Sequence, residues 1–230
     1  MQFLILGGTG PSGILLIRNA LSSPAYPESS VVVYARTPSK LPADLTNHPR
    51  LSIIQGTLED LDTAETAVQG ADVVLSALGP PVTVGAVRYP AGCPIATFYE
   101  KLVGMMRRHG VRRFVLLGTA SIEDERDRFS LAFKGMVAGV RVGAPNAYKD
   151  VVAMGEVVRA SGGGEGEWDL DWTIVRVPFL TSGDSEGVVA GYIGDGRTGV
   201  RLARKAFAAF VLGEVEKREW VRKAPLISDA

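Results

Sequence analysis

The sequence predicts a doubly wound α/β protein: a mostly parallel sheet with helices on both faces and a small C-terminal region on the substrate side. Two observations predict it. Short apolar runs alternate with stretches of helical period from end to end, and the first run stops abruptly at Gly7-Gly8-Thr9-Gly10-Pro11-Ser12-Gly13. Repeated strand-helix units favour parallel strands joined by right-handed crossovers. With 230 residues and no visible internal repeat, residues 1–230 are read as one domain with one generous core.

Gln2 to Leu6 is apolar and ends at glycine, so it reads as a buried strand. Leu15, Leu16, Ile17 and Leu21 then recur at helical spacing. Val31 to Ala35 and Leu51 to Gln55 are the second and third strands. Thr63 to Val68 is a short helix and Asp72 to Ala77 the fourth strand. A helix runs from about Ile95 to His109, followed by a strand from Arg113 to Leu117. Asn146 to Ser161 is helical, with Val151, Val152, Gly155, Val158 and Ala160 on its small or apolar face. Asp171 to Val175 is the sixth strand, and Arg201 to Leu212 a helix with Phe207, Phe210 and Val211 inward. Val221 to Ile227 adds an edge strand whose pairing Pro225 limits. Gly162 to Gly166 reads as a flexible loop extension, and the charged stretch Asp124 to Arg128 as a solvated turn.

Lys and Arg number 25, as do Asp and Glu. This balance argues against a nucleic-acid binder, which usually carries a basic excess. Arg107-Arg108 with Arg112-Arg113, and Arg201 to Lys205, read as solvated helix ends. No apolar run approaches the ~20 residues needed to span a bilayer, and Met1 leads almost directly into the first strand. A cytoplasmic protein is expected. The single cysteine, Cys93, forms no internal disulfide and suits a reducing compartment. With only two histidines, neither a zinc cluster nor a Cys/His nucleophile is expected.

Gly8-Thr9-Gly10-Pro11-Ser12-Gly13 matches G-x-G-x-x-G, and its setting between an apolar strand and a helix is what the chemistry requires. The glycines let backbone approach a diphosphate, and the helix N-terminus offers free N–H groups and partial positive charge. Gly7, Gly8, Thr9, Gly10, Pro11, Ser12 and Gly13 are therefore candidate cofactor contacts, with Ser12 a candidate helix cap. NAD-preferring sites place a carboxylate about 20 residues beyond the glycines. Here the second strand ends in Arg36, followed by Thr37 and Lys40. A guanidinium there pairs with a 2′-phosphate, so NADP(H) is the expected cofactor. The turns Thr57-Leu58 and Ala77-Leu78-Gly79 follow the third and fourth strands, at the strand ends where such sheets bind ligands. They are expected near adenine and near the nicotinamide-side ribose. Leu58 equally suits the core. Pro178, after the sixth strand, completes the cofactor set.

With these residues in view, the chain resembles the atypical short-chain dehydrogenase/reductase group. More narrowly, it resembles the NmrA-like and biliverdin reductase B (flavin reductase)-like NAD(P)-binding proteins, which carry the Rossmann fold. The resemblance covers nearly the whole chain. It rests on the glycine turn, on Tyr34-Ala35-Arg36-Thr37, on Gly70-Ala71-Asp72-Val73-Val74 and on Val111-Arg112-Arg113-Phe114-Val115. It continues through Leu170-Asp171-Trp172-Thr173-Ile174-Val175-Arg176-Val177-Pro178 and Lys223-Ala224-Pro225-Leu226-Ile227-Ser228.

The short-chain dehydrogenase mechanism implied by this resemblance uses a serine after the fifth strand and a Tyr-x-x-x-Lys on the next helix. Thr119 and Ser121 supply hydroxyls near the first position, and Tyr148 suits the tyrosine. The lysine position is Val152. Lys149 follows Tyr148 directly, yet successive helical residues point about 100° apart, so it does not replace a lysine one turn onward. Three readings stay open. The first is an NADPH-dependent reductase of a flat, acidic or conjugated acceptor such as a flavin, quinone or conjugated carbonyl. The second is a non-catalytic NADP(H) redox sensor acting through a protein partner. The third is an isomerase-type enzyme on the same fold. A small-molecule substrate, no nucleic acid, no membrane and a monomer or homodimer are expected. The substrate pocket is expected from Pro80 to Pro94, Ser121 to Pro145 and Pro178 to Tyr192. Phe129, Phe133, Met136 and Phe179 are read as pocket or small-core residues.

Overall fold

The computed structural model describes residues 1–81, 88–162 and 168–230. The chain runs β1 (Gln2–Leu6), α1 (Pro11–Ser22), β2 (Ser30–Ala35), a 3-10 turn (Pro38–Lys40), α2 (Ala43–Thr46), β3 (Leu51–Gln55), α3 (Leu61–Val68) and β4 (Val73–Ser76). It continues with α4 (Pro94–Arg108), β5 (Arg113–Thr119), α5 (Leu131–Gly143), α6 (Pro145–Ala160) and β6 (Asp171–Val177). The remaining elements are β7 (Phe179–Thr181), β8 (Val188–Gly191), β9 (Arg201–Ala203), α7 (Arg204–Lys217) and β10 (Leu226–Asp229). Among the described residues no helix is long and apolar enough to cross a membrane.

The main sheet has the order β3-β2-β1-β4-β5-β6-β10-β8. Its pairs are parallel from β3 through β10, and β8 closes the edge antiparallel to β10. The expected doubly wound sheet is therefore present, with the order reversal between β1 and β4. Strand alternation separates two cores. Phe3, Ile5, Val33 and Leu75 face α1 and α7, against Leu16, Ile17, Phe207 and Val211. Leu4, Leu6, Val74 and Phe114 face α3, α4 and α6, against Phe98, Leu102, Met154 and Val158. Each fully buried side chain of this kind contributes roughly 1.5–3 kcal/mol.

The C-terminal third departs from the sequence expectations where pairing is long-range. Arg201–Ala203 is not the start of a helix; it pairs in parallel with β7, and α7 begins only at Arg204. The last strand is not an edge strand. β10 lies between β6 and β8, and Pro225 stands just before it, accepting from the Arg176 amide through its carbonyl at 2.8 Å. β7 and β8 fall within the expected substrate segment Pro178 to Tyr192, and α5 within Ser121 to Pro145, with no element expected there. Residues 163–166 of the expected loop extension Gly162 to Gly166, and residues 82–87 of the expected pocket wall, lie outside the described residues.

Arg113 is also corrected: it is a strand residue, 4% exposed, and not a solvated helix end. Its guanidinium donates to Glu214 Oε1 at 2.9 Å and to Thr173 Oγ1 at 2.9 Å. Burial pulls its pKa down to about 10 despite the carboxylate. Glu214 also accepts from the Glu219 and Trp220 amides, so this pair ties α7 and the chain after it to the amino ends of β5 and β6. Glu214→Gln keeps the shape and removes the compensating charge, so it is expected to cost about 3–5 kcal/mol in urea unfolding. A loss below about 1 kcal/mol would show that the pair is dispensable.

Candidate functional site

The turn between β1 and α1 is built by close approach. Gly7 has φ +71°, and a Cβ there would lie 2.8 Å from the Ala77 carbonyl carbon and the Leu78 amide. A Cβ at Gly13 would stand 2.2 Å from the Gly7 carbonyl oxygen, and one at Gly8 would strike Val33. These contacts bring the glycine turn against Ala77 and Leu78 after β4. Gly10 differs: a Cβ there meets only the Gly7 oxygen, at 3.5 Å. Gly10 is the N-cap of α1, Pro11 opens the helix, and no side chain caps it. Ser12 is therefore not the cap; it lies inside the helix and is buried. Thr9 is half-buried and Pro11 exposed on the outer side of the turn.

Arg36 follows β2 and is exposed, and among the described residues its guanidinium has no partner. Thr37 precedes the 3-10 turn that carries Lys40, which is also exposed. Past β3, Tyr34 donates its hydroxyl to the Thr57 carbonyl at 2.6 Å, while Asp60 accepts from the Thr57 amide at 2.8 Å and its hydroxyl at 3.0 Å. Burial, reinforced by Asp60 and Glu59, pushes the Tyr34 hydroxyl up to about 12, so it stays a donor at neutral pH. Leu58 packs on the α3–α4 core, which is its plainer reading. Beyond β4, the Leu78 amide donates to Ser76 Oγ at 3.2 Å, and Ser76 bonds the buried Tyr99 hydroxyl at 2.7 Å. Gly79 continues this turn, and Pro178 follows β6 directly.

An uncapped helix N-terminus, an open surface at Gly10 and an unpartnered guanidinium beyond the neighbouring strand together fit a dinucleotide. The first-turn amides have no intrahelical acceptors and would hold a diphosphate, and Arg36 would meet an adenosine phosphate. The residues present thus suit the group that the sequence expects.

A cavity of about 640 Å³ lies beside α5 and α6. Tyr148, Ala120, Phe133, Val137 and Ile193 supply its tyrosine and its apolar wall. The glycine turn does not line it. Tyr148 lies in the first turn of α6, half-buried, with Arg141 5.9 Å above its ring. Thr119 ends β5 half-buried, and its Oγ1 accepts from the Ser121 amide at 3.2 Å; Ser121 is buried. Lys149 is exposed on a different side of α6 from Tyr148, and its charge acts on Cys93. Phe133 is buried in a small core with Met136 against it, while Phe129 and Phe179 are exposed.

The Asp124–Arg128 turn is not simply solvated. Arg176, fully buried on β6, donates both terminal nitrogens to Asp127, at 2.6 and 2.8 Å. Asp127 also accepts from the Ile193 amide at 3.0 Å, so one carboxylate fastens two walls of the cavity to the sheet.

Asp150 was missed altogether. It is fully buried and accepts from the Tyr89 hydroxyl at 2.6 Å and the Ile95 and Ala96 amides at 3.1 and 2.9 Å. It thereby caps α4 from α6. Its signal was present: a carboxylate in the same helical stripe as Ala147, Val151, Met154 and Val158 needs a partner if that stripe is buried.

A family model described as NAD(P)H-binding matches residues 7–218 of the chain. Among curated proteins, a 3 beta-hydroxysteroid dehydrogenase/Delta 5-->4-isomerase of Mycobacterium tuberculosis is 28% identical over 133 residues, covering 53% of this chain and 32% of that protein. Oxidoreductase aflX of Aspergillus parasiticus is 23% identical over 163 residues, covering 69% of this chain and 59% of that protein. The chain thus spans about a third to three-fifths of the length of these relatives. Among solved structures, a short-chain dehydrogenases/reductase from Veillonella parvula DSM 2008 superposes with TM-score 0.76 in an ethylated form, at 16% identity, covering 99% of this chain and 94% of that one. In complex with NADP it gives TM-score 0.73 at 17% identity over the same shares.

Asp127 provides a test of the cavity frame. Despite the cost of burial, bonds from Arg176 hold its carboxyl below the usual carboxylate range. Its stabilising contribution is therefore complete above the unfolded value of about 3.9 and is lost as pH falls through the lower folded value. The difference in melting temperature between the parent and Asp127→Asn is expected to be full at neutral pH and to shrink in acid. A difference independent of pH would contradict this.

Proposed function

Since the chain belongs to the NAD(P)H-binding family, we propose that it is an NADPH-dependent oxidoreductase reducing a small planar acceptor such as a flavin, a quinone or a conjugated carbonyl compound. The observation that carries the reading is the uncapped start of α1 at Gly10 with the unpartnered Arg36 beyond β2. The backbone amides of Thr9, Ser12 and Gly13 hold the diphosphate, since Pro11 has no N–H and the Gly10 amide donates to the Gly7 carbonyl at 3.1 Å; Arg36, helped by Thr37 and Lys40, holds the 2′-phosphate. The turns at Thr57-Leu58 and Ala77-Leu78-Gly79, with Pro178, flank the rest of the dinucleotide. When bound, the nicotinamide supplies the hydride. Tyr148 holds a proton at its hydroxyl on the cavity wall, where Phe133, Val137 and Ile193 keep water out; Thr119 and the buried Ser121 do not line that wall and instead shape the turn that presents Ala120 to it. The lone cysteine suits a reducing, cytoplasmic setting.

Val152 supports a second reading. It stands half-buried one turn after Tyr148, where the dehydrogenase mechanism keeps a lysine, and Lys149 faces elsewhere. In that reading the protein senses NADP redox state and passes it to a protein partner.

NADPH is expected to raise the melting temperature more than NADH at equal concentration. The underlying preference is about ten- to a hundredfold, from one charge-assisted phosphate contact. Arg36→Ala should remove most of that difference, and Gly10→Ala should weaken both cofactors while leaving the unliganded melting temperature close to the parent's. Equal protection by NADH in the parent would exclude the role given to Arg36. Purified protein should oxidise NADPH with a flavin or quinone, at a rate lowered about a hundredfold in Tyr148→Phe, the lower end of general acid catalysis. Tight NADP binding without NADPH consumption across a broad acceptor panel would select the sensor.

A further inference from the structure

The cavity beside Tyr148 carries more positive charge than its walls neutralise. Three cations line it: Arg128, Lys134 and Arg141. Among the described residues none of them has a carboxylate partner. Lys134 lies 4.9 Å over the Phe129 ring and Arg141 5.9 Å over the Tyr148 ring, contacts that leave their charge uncompensated. Three carboxylates also line the cavity, but two are already engaged. Asp127 is held by Arg176, and Asp124 lies 3.5 Å from Arg159 and 3.8 Å from Arg126. Glu123 is the one carboxylate of the three without a cationic partner among the described residues. Apart from Ser130 and Tyr148, the rest of the wall is apolar: Ala120, Phe129, Phe133, Val137, Ala138 and Ile193. A volume of about 640 Å³ is ample for a compact organic ligand.

We infer that this cavity binds an apolar molecule bearing a carboxylate, with Arg128 and Lys134 receiving the carboxylate and the Phe133–Val137 wall receiving the body. Arg141 adds a third positive charge, 5.9 Å over the Tyr148 ring, and both residues line the cavity. The inference rests on the reductase reading only in calling this molecule the substrate; the binding chemistry stands without turnover. An uncharged apolar ligand would leave the excess cations unused, and a small inorganic anion would leave the apolar wall uncovered.

The test compares 1-pyrenebutyrate with 1-pyrenebutanol by equilibrium fluorescence binding. In the parent protein the acid is expected to bind at least tenfold tighter, with the advantage shrinking as salt is raised. Arg128→Gln and Lys134→Gln should each weaken the acid by about fivefold and leave the alcohol unchanged. Equal affinity for acid and alcohol, binding of neither, or equal weakening of both by the variants would overturn the inference. The parent's acid-to-alcohol ratio and its salt dependence decide the matter even if a variant folds poorly. The NADPH thermal shift is read on the same samples. A normal shift without carboxylate preference sinks this inference alone, and carboxylate preference without any NADPH shift sinks the cofactor reading alone.

Discussion

Backbone lies against backbone where β1 turns into α1. A methyl group at Gly13 would sit 2.2 Å from the Gly7 carbonyl oxygen, and one at Gly7 would press on the Ala77-Leu78 peptide. Because those positions have no side chains, the start of α1 is drawn onto the end of β1 and the turn after β4 closes against it. The helix then packs on the sheet through Leu16 and Ile17, and α7 packs beside it. Gly10 opens α1 there, with no side chain to cap the helix. One steric constraint thus both seats the helix and leaves its positive end open to an anion.

The other side of the site is held by different forces. The Arg176–Asp127 pair joins β6 to the turn after β5 and to the Ile193 segment, elements separated by dozens of residues. Asp150 joins α6 to the start of α4 and to Tyr89. Each carboxylate accepts several hydrogen bonds, and such networks are costly to break because one partner is left unpaired in the interior. They fix loop positions where few apolar contacts exist. The cofactor side needs no such network, since its geometry follows from the turn itself.

Charge is also divided by depth. Arg113 and Arg176 are buried and paired, each serving the frame. Arg36, Arg128, Lys134 and Arg141 stay unpaired with any carboxylate among the described residues, and they surround the two places where ligands are proposed. A formal charge of zero over the chain hides this division.

The sequence by itself determined the sheet from β1 to β6 and the glycine turn between β1 and α1. Their signals are local: apolar alternation, helical period and glycines within one short turn, so Leu51 to Gln55 was read to the residue and Gly7 to Gly13 at sight. The position of Arg36 was legible because it depends only on where β2 ends. Tertiary structure alone decided the rest. β10 became an interior strand because β8 pairs outside it, and Arg201–Ala203 became a strand because β7 offers it backbone partners. Asp127 and Asp150 gained their positions from donors far away in sequence. Such pairings are set by which surfaces meet after folding, and no window of neighbouring residues contains both partners.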